Sequence, residues 1–169
     1  MNFCLKQWQL IQKETDTNIT VKVPSDITND LYKAGLIADP YYGYNHHKCY
    51  DLCRKDYIYT TTFDLPEKID ENKENLYVTF LGVDLFSDIY LNGKLIGKTD
   101  NMFKAYKFDI SNVAKEKGNV IEVKMQSTIT KMENMDCKNY FGVFNIPRVL
   151  LRKKQCDFGW DWAANIPGY

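Results

Sequence analysis

Apolar and polar residues alternate in short runs along most of this chain, and residues that favour turns separate the runs. Ile19-Thr20-Val21-Lys22-Val23 has the period of two expected of a strand with one buried face. Tyr57-Ile58-Tyr59-Thr60-Thr61-Thr62-Phe63 is β-branched or aromatic throughout, and Leu76 to Leu81 and Val120 to Met125 read the same way. Ser87 to Leu91 meets Lys94 to Gly97 across Asn92-Gly93. Those two residues accept the positive φ of a type I′ turn, so this segment predicts a tight hairpin. Further strands are expected over Phe103 to Ile110 and over Arg148 to Lys153. One helix is expected after Pro24, capped by Ser25 or Asp26, with Ile27, Leu31 and Ala34 on one face and Gly35 ending it. One short helix among many strands predicts an all-β chain, an antiparallel β-sandwich or jelly roll.

Composition narrows the classes of function. The 169 residues suit one domain, and no repeat, linker or low-complexity tract divides them. Lys plus Arg equals Asp plus Glu at 22 each, which gives no basic surface for nucleic acid. No segment approaches the ~20 apolar residues that span a bilayer, so no membrane partner is expected. Met1 to Gln7 has neither an apolar core nor a small-residue cleavage site. The five cysteines are odd in number and irregularly spaced, as reduced thiols are, and a cytoplasmic location is expected. Twelve Tyr, nine Phe and three Trp suit both sheet packing and sugar stacking, and composition does not separate the two.

No self-contained active site emerges. Phosphate-binding glycine loops, dinucleotide fingerprints and nucleophile elbows are missing from the sequence. His46, His47, Cys49 and Cys53 offer four potential metal ligands, but at spacings that match no common zinc arrangement. They read instead as a loop with its thiols turned inward, where the adjacent histidines would point apart. No metal and no cofactor are expected. Glycoside hydrolysis needs two carboxylates in contrasting environments. Glu67, Asp70, Glu71 and Glu74 lie in a Lys/Asn-rich connection and read as a solvated loop.

The most unusual stretch is Gln155-Cys156-Asp157-Phe158-Gly159-Trp160-Asp161-Trp162-Ala163. Two Trp flanking an Asp can plug a core, or can form a sugar platform in which indole stacks and carboxylate accepts hydroxyl hydrogen bonds. Local chemistry leaves both open.

At this point a resemblance enters. RKKQCDFGWDWA (Arg152 to Ala163) resembles the segment closing the N-terminal domain of β-mannosidases of glycoside hydrolase family 2. In the family's order, LYKAGLIADPYYGYN (Leu31 to Asn45) resembles its helix and Asp-Pro-Tyr loop, and DYIYTTTF (Asp56 to Phe63) one of its strands. FLGVD (Phe80 to Asp84), LNGKLIGKTDNMFKAYKFDI (Leu91 to Ile110) and Gly118-Asn119 extend the match to nearly the whole chain. Departures include His46 where the family usually carries an acid, Tyr57 for Trp, and Ala164 for a frequent Pro.

The resemblance implies a galactose-binding-like jelly roll placed first in a retaining exo-hydrolase that frees terminal β-linked mannose. The catalytic glutamates would lie on a downstream barrel domain, leaving this chain inactive alone. Its partners would be that barrel and, through the full-length enzyme, a mannoside or oligosaccharide. Trp160 would wall the sugar subsite, Asp161 would bond the terminal hydroxyls, and Trp162 completes the loop. Arg152 and Asn101 also match the family pattern, and are read as structural. A single domain over residues 1–169 is expected, cut before its last strand and the barrel, with one sheet edge exposed. The alternative is a free-standing carbohydrate-binding module.

Overall fold

The structure is a computed structural model, and it describes residues 2–65, 75–137, 147–161 and 163–168. The first strands along the chain are β1 (Gln7–Gln12), β2 (Thr17–Lys22), β3 (Tyr57–Phe63), β4 (Tyr77–Phe80) and β5 (Ser87–Leu91). There follow β6 (Lys94–Thr99), β7 (Tyr106–Asp109), β8 (Asn119–Met125), β9 (Phe158–Trp160) and β10 (Ala163–Asn165). Among the described residues, three α-helices interrupt them: α1 (Ile27–Lys33), α2 (Asn45–Leu52) and α3 (Thr128–Glu133).

Six strands form one antiparallel sheet in the order β2-β1-β3-β8-β5-β6. β4 pairs with β7 antiparallel in a second layer, and β9 with β10 in a separate hairpin. Alternation decides which residues fill the space between the layers. In β8, Asn119, Ile121, Val123 and Met125 are buried while Val120, Glu122 and Lys124 turn outward. Ile89 and Leu91 of β5, Leu10 of β1 and Tyr57 and Tyr59 of β3 join them in one core. Val78, Phe80 and Phe108 of the small sheet pack against that core, and the result is the expected sandwich. Each fully buried aliphatic side chain there contributes about 1.5–3 kcal/mol.

The layers meet closely at one point. Gly97 of β6 has no side chain because the Phe108 ring stands in its place: a Cβ there would lie 2.0 Å from Cε1. The β5–β6 turn is the type I′ turn expected, with Asn92 at φ 50° and Gly93 at φ 81°. Asn92 also spends its side chain on the core. Its amide donates to Val113 O (2.9 Å) and to Oδ1 of the fully buried Asn119 (3.0 Å), and its oxygen accepts from Val120 N (2.9 Å).

α1 starts where the sequence places it. Asp26 caps it by accepting from Asn29 N (3.0 Å), Ile27 and Leu31 are buried, and Gly35 follows at φ 71°. The single-helix expectation needs correcting, because α2 and α3 are also present. α3 is capped by the Ser127 hydroxyl, which accepts from Thr130 N (3.0 Å) while donating to Cys53 O (2.8 Å). The strand expected over Arg148 to Lys153 is instead a 3-10 turn over Pro147–Leu150 followed by an isolated bridge. Proline suits the first position of a helical turn, and a short apolar run fits helix as readily as strand. β1 was not expected at all, although Gln7-Trp8-Gln9-Leu10 alternates plainly.

Candidate functional site

The segment after Pro147 runs along one end of the sandwich and carries the Trp-Asp sequence. Leu151 N bonds Arg148 O (3.1 Å), closing the 3-10 turn and driving Leu151 into a small second core with Cys53, Leu85, Ile129 and Phe158. Arg152 then lies parallel to Asn101, with Met102 N donating to Arg152 O (3.0 Å). Asn101 also uses its side chain, whose Oδ1 accepts from Phe103 N (2.9 Å).

Lys153 turns inward, and its side chain has no solvent exposure. Its ammonium donates to Asp84 Oδ2 and to Gly168 O (2.6 Å), and stands 3.1 Å from Asp157 Oδ2. Three N–H donors meet three acceptors. Burying an ammonium costs several kcal/mol unless it is paired, and here two carboxylates and a carbonyl offset that cost. Burial pushes the Asp84 carboxyl above the usual carboxylate range, and the Lys153 charge pulls it part of the way back. The Lys153 cluster ties the chain at three points: the loop before β5, the turn before β9, and the residues after β10.

Between those ties rises the β9–β10 hairpin. Trp160 pairs with Ala163 and Phe158 with Asn165. Phe158 is buried and anchors the base. Residues two apart in a strand share a face, which would bury Trp160 with Phe158. Gly159, at φ 91°, breaks that alternation, and Trp160 emerges 54% exposed. Asp161 follows, exposed, in the connection between the strands. Trp162 lies outside the described residues. β10 packs against α2, and beyond it Pro167 is fully buried. An open indole beside an open carboxylate can stack on a sugar ring and accept its hydroxyl hydrogen bonds.

Other candidates fare differently. His46 and His47 sit on a helix rather than in an extended loop, and their rings lie 4.2 Å apart instead of pointing opposite ways. The thiols of Cys49 and Cys53 are buried, as expected, and burial pushes that of Cys53 up to about 12. Among the described residues no group of three or more His, Cys, Asp or Glu is placed to hold a metal ion. Glu67, Asp70, Glu71 and Glu74 lie outside the described residues. No helix among the described residues is long and apolar enough to cross a membrane. Lys153, Asp84 and Asp157 went unrecognised in the sequence; the only local signal was the four-residue spacing of Lys153 and Asp157.

The match to known proteins runs over the whole of this architecture. The family described as "Glycosyl hydrolase 2 galactose-binding domain-like" matches residues 8–168. The chain belongs to that family. Among the family's named relatives, the β-mannosidase of Mus musculus is 30% identical over 95% of this chain, and that of Capra hircus 32% over 95%. Each alignment takes in 19% of the relative, so the chain spans about a fifth of its length. The crystal structure of a β-D-mannosidase from Dictyoglomus thermophilum superposes with a TM-score of 0.86 at 36% identity, covering 97% of this chain and 21% of that one. An exo-chitosanase of Amycolatopsis orientalis, 17% identical with a TM-score of 0.61 over 72% of this chain and 16% of its own, shares the fold.

Proposed function

We propose that this chain is the non-catalytic N-terminal sugar-binding domain of a retaining exo-β-mannosidase-like glycoside hydrolase, one that releases terminal β-D-mannose. Its contribution to the active-site pocket is the Trp160-Asp161-Trp162 loop. The observation that carries this reading is the exit of Trp160 into solvent at Gly159, with Asp161 beside it on a hairpin whose base is locked. A Trp held half-open by a backbone reversal has lost burial that its neighbour Phe158 keeps, which favours a ligand-facing role over a core plug.

The division of labour follows from the carboxylates. A retaining hydrolase needs two carboxyl groups about 5–5.5 Å apart across the sugar. Asp84 and Asp157 do approach each other here, but both are engaged by Lys153. On this reading the acid/base and nucleophile belong to a downstream barrel domain, and this domain supplies binding. Asp161 accepts hydrogen bonds from hydroxyls of the terminal mannose, and Trp160 covers an apolar ring face.

The test is Asp161→Asn in the full-length enzyme assayed on a β-mannoside. Losing charge-assisted bonds worth about 1.5–3 kcal/mol lowers kcat/KM roughly 10- to 100-fold. Unchanged turnover would overturn the assignment. Calorimetry of this chain with mannose separates the alternative: micromolar affinity would make it a free-standing carbohydrate-binding module, because one wall of a pocket binds weakly.

A further inference from the structure

Trp160 and Asp161 are exposed at the tip of the β9–β10 hairpin, so the direction in which they point is inherited from its base. Both rails of that base end on one atom. On the β9 side the Asp157 carboxylate, four residues before Asp161, lies 3.1 Å from Lys153 Nζ. On the β10 side Gly168 O, seven residues after Asp161, accepts from the same ammonium (2.6 Å). The third acceptor, Asp84 Oδ2, belongs to the loop before β5 and so to the sandwich. A Cβ on Gly168 would lie 3.7 Å from Thr28 Oγ1, so buried Thr28 of α1 stands against this end, and Pro167 beside it is fully buried. The other anchors are less directional. Phe158 is held by apolar packing, which is indifferent to small rotations, and the bond from Arg148 to Phe158 O is long at 3.3 Å. Hydrogen bonds weaken steeply off axis, and losing one in a buried place is costly.

We propose that Lys153 is a positioning residue for the sugar site: it touches no ligand, and it aims Asp161 at the terminal sugar. This rests on the reading that the hairpin contributes to a mannoside pocket. Stability alone does not call for a lysine here, because a buried ion pair is often no more stabilising than apolar side chains of the same volume. What an apolar plug cannot supply is direction. The ammonium takes one acceptor from the sandwich and one from each rail, so the hairpin is oriented against the scaffold as well as attached to it. The lever from that grip to Asp161 is only four residues long on the β9 side, and a shift at Asp157 reaches the carboxylate little diminished. A misplacement of about 1 Å at a group that orients substrate can cost roughly 100-fold in rate.

A double-mutant cycle in the full-length enzyme tests this, with kcat/KM for a β-mannoside measured well below the melting temperature of each variant. Lys153→Met is expected to lower kcat/KM roughly 10-fold or more when Asp161 is present. Once Asp161→Ala has removed the acceptor oxygens, the same change is expected to cost less than about threefold, because the bonds that Lys153 aims are already gone. Asp157→Asn keeps the shape of the node and one acceptor oxygen. It should give a smaller loss with the same dependence on Asp161, and it carries the test if Lys153→Met does not fold. Equal losses in both backgrounds, or none in either, overturn the proposal: a purely structural lysine changes how much enzyme is folded, and not what Asp161 does in the folded enzyme. A silent Asp161→Ala removes the proposed sugar contact, and this role with it. A costly Asp161→Ala with an additive Lys153→Met removes this role alone.

Discussion

The sandwich and the hairpin segment are held together by opposite means. In the sandwich, stability is spread over many equivalent positions: Leu10, Ile89, Leu91 and Ile121 are each fully buried, and the removal of any one leaves the rest in contact. The segment from Pro147 to Gly168 gives Leu151 and Phe158 to a small core with Cys53, Leu85 and Ile129, and is held besides by one ammonium that reaches three separate stretches of chain. Spread-out burial makes a scaffold that tolerates change. A single polar node makes a part that is placed accurately and can be undone at one atom. That contrast suits the proposed division between a support and a ligand-facing tip.

The largest effect is expected where the node is cut. Lys153→Met leaves Asp84 without its ammonium partner and Asp157 with the more exposed Lys154 ammonium at 3.4 Å, at a cost of roughly 3 kcal/mol. Hydrogen exchange read by mass spectrometry should show faster exchange over residues 153–168 while β3 and β8 keep their protection. Uniform acceleration through both regions would erase the distinction. The counterpart in the scaffold is Gly97→Ala, where the new methyl meets the Phe108 ring and overpacking costs about 1–3 kcal/mol. Chemical denaturation should register it as a lower midpoint, with exchange accelerated in β6 and β7 and not in the hairpin.

The smallest effect sharpens the comparison from the other side. Asp30 is buried in α1, its Oδ2 has no hydrogen-bond partner among the described residues, and burial pushes its carboxyl above the ordinary range. A raised value means that the folded chain holds this proton more tightly than the unfolded chain does. The contribution to stability is therefore complete below the ordinary carboxylate value near 3.8, and is lost as pH rises through the folded one. Asp30→Asn should raise the melting temperature at pH 7, by about 1 kcal/mol of stability, and the gain should vanish toward pH 3. A gain independent of pH would point to packing instead.

Most of the sandwich was legible because its signal is periodic and local. Tyr57 to Phe63 and the Asn92-Gly93 hairpin fall where alternation and turn chemistry place them, and so do the Asp26 cap and Gly35. β1 carried the same signal, with glutamines on its outer face in place of β-branched residues. α2 was hidden because Asn45-His46-His47-Lys48-Cys49 has almost no apolar face to betray a helix. The hairpin could be found only by its odd composition. Its anchor could not, because lysine is ordinarily a surface residue and Asp84 lies 69 positions away. Tertiary pairings of that kind leave no periodic trace.

The Lys153–Gly168 bond has one further consequence, seen as a question of chain entropy. It closes a fifteen-residue excursion, with Asp157 drawn to the same ammonium inside it. Closing a flexible loop of that length costs roughly 2–3 kcal/mol in lost freedom. Folding itself has already met that cost. Trp160 and Asp161 thus ride on a noncovalent ring rather than on a trailing end, and the sugar proposed to land on them would have little disorder left to remove.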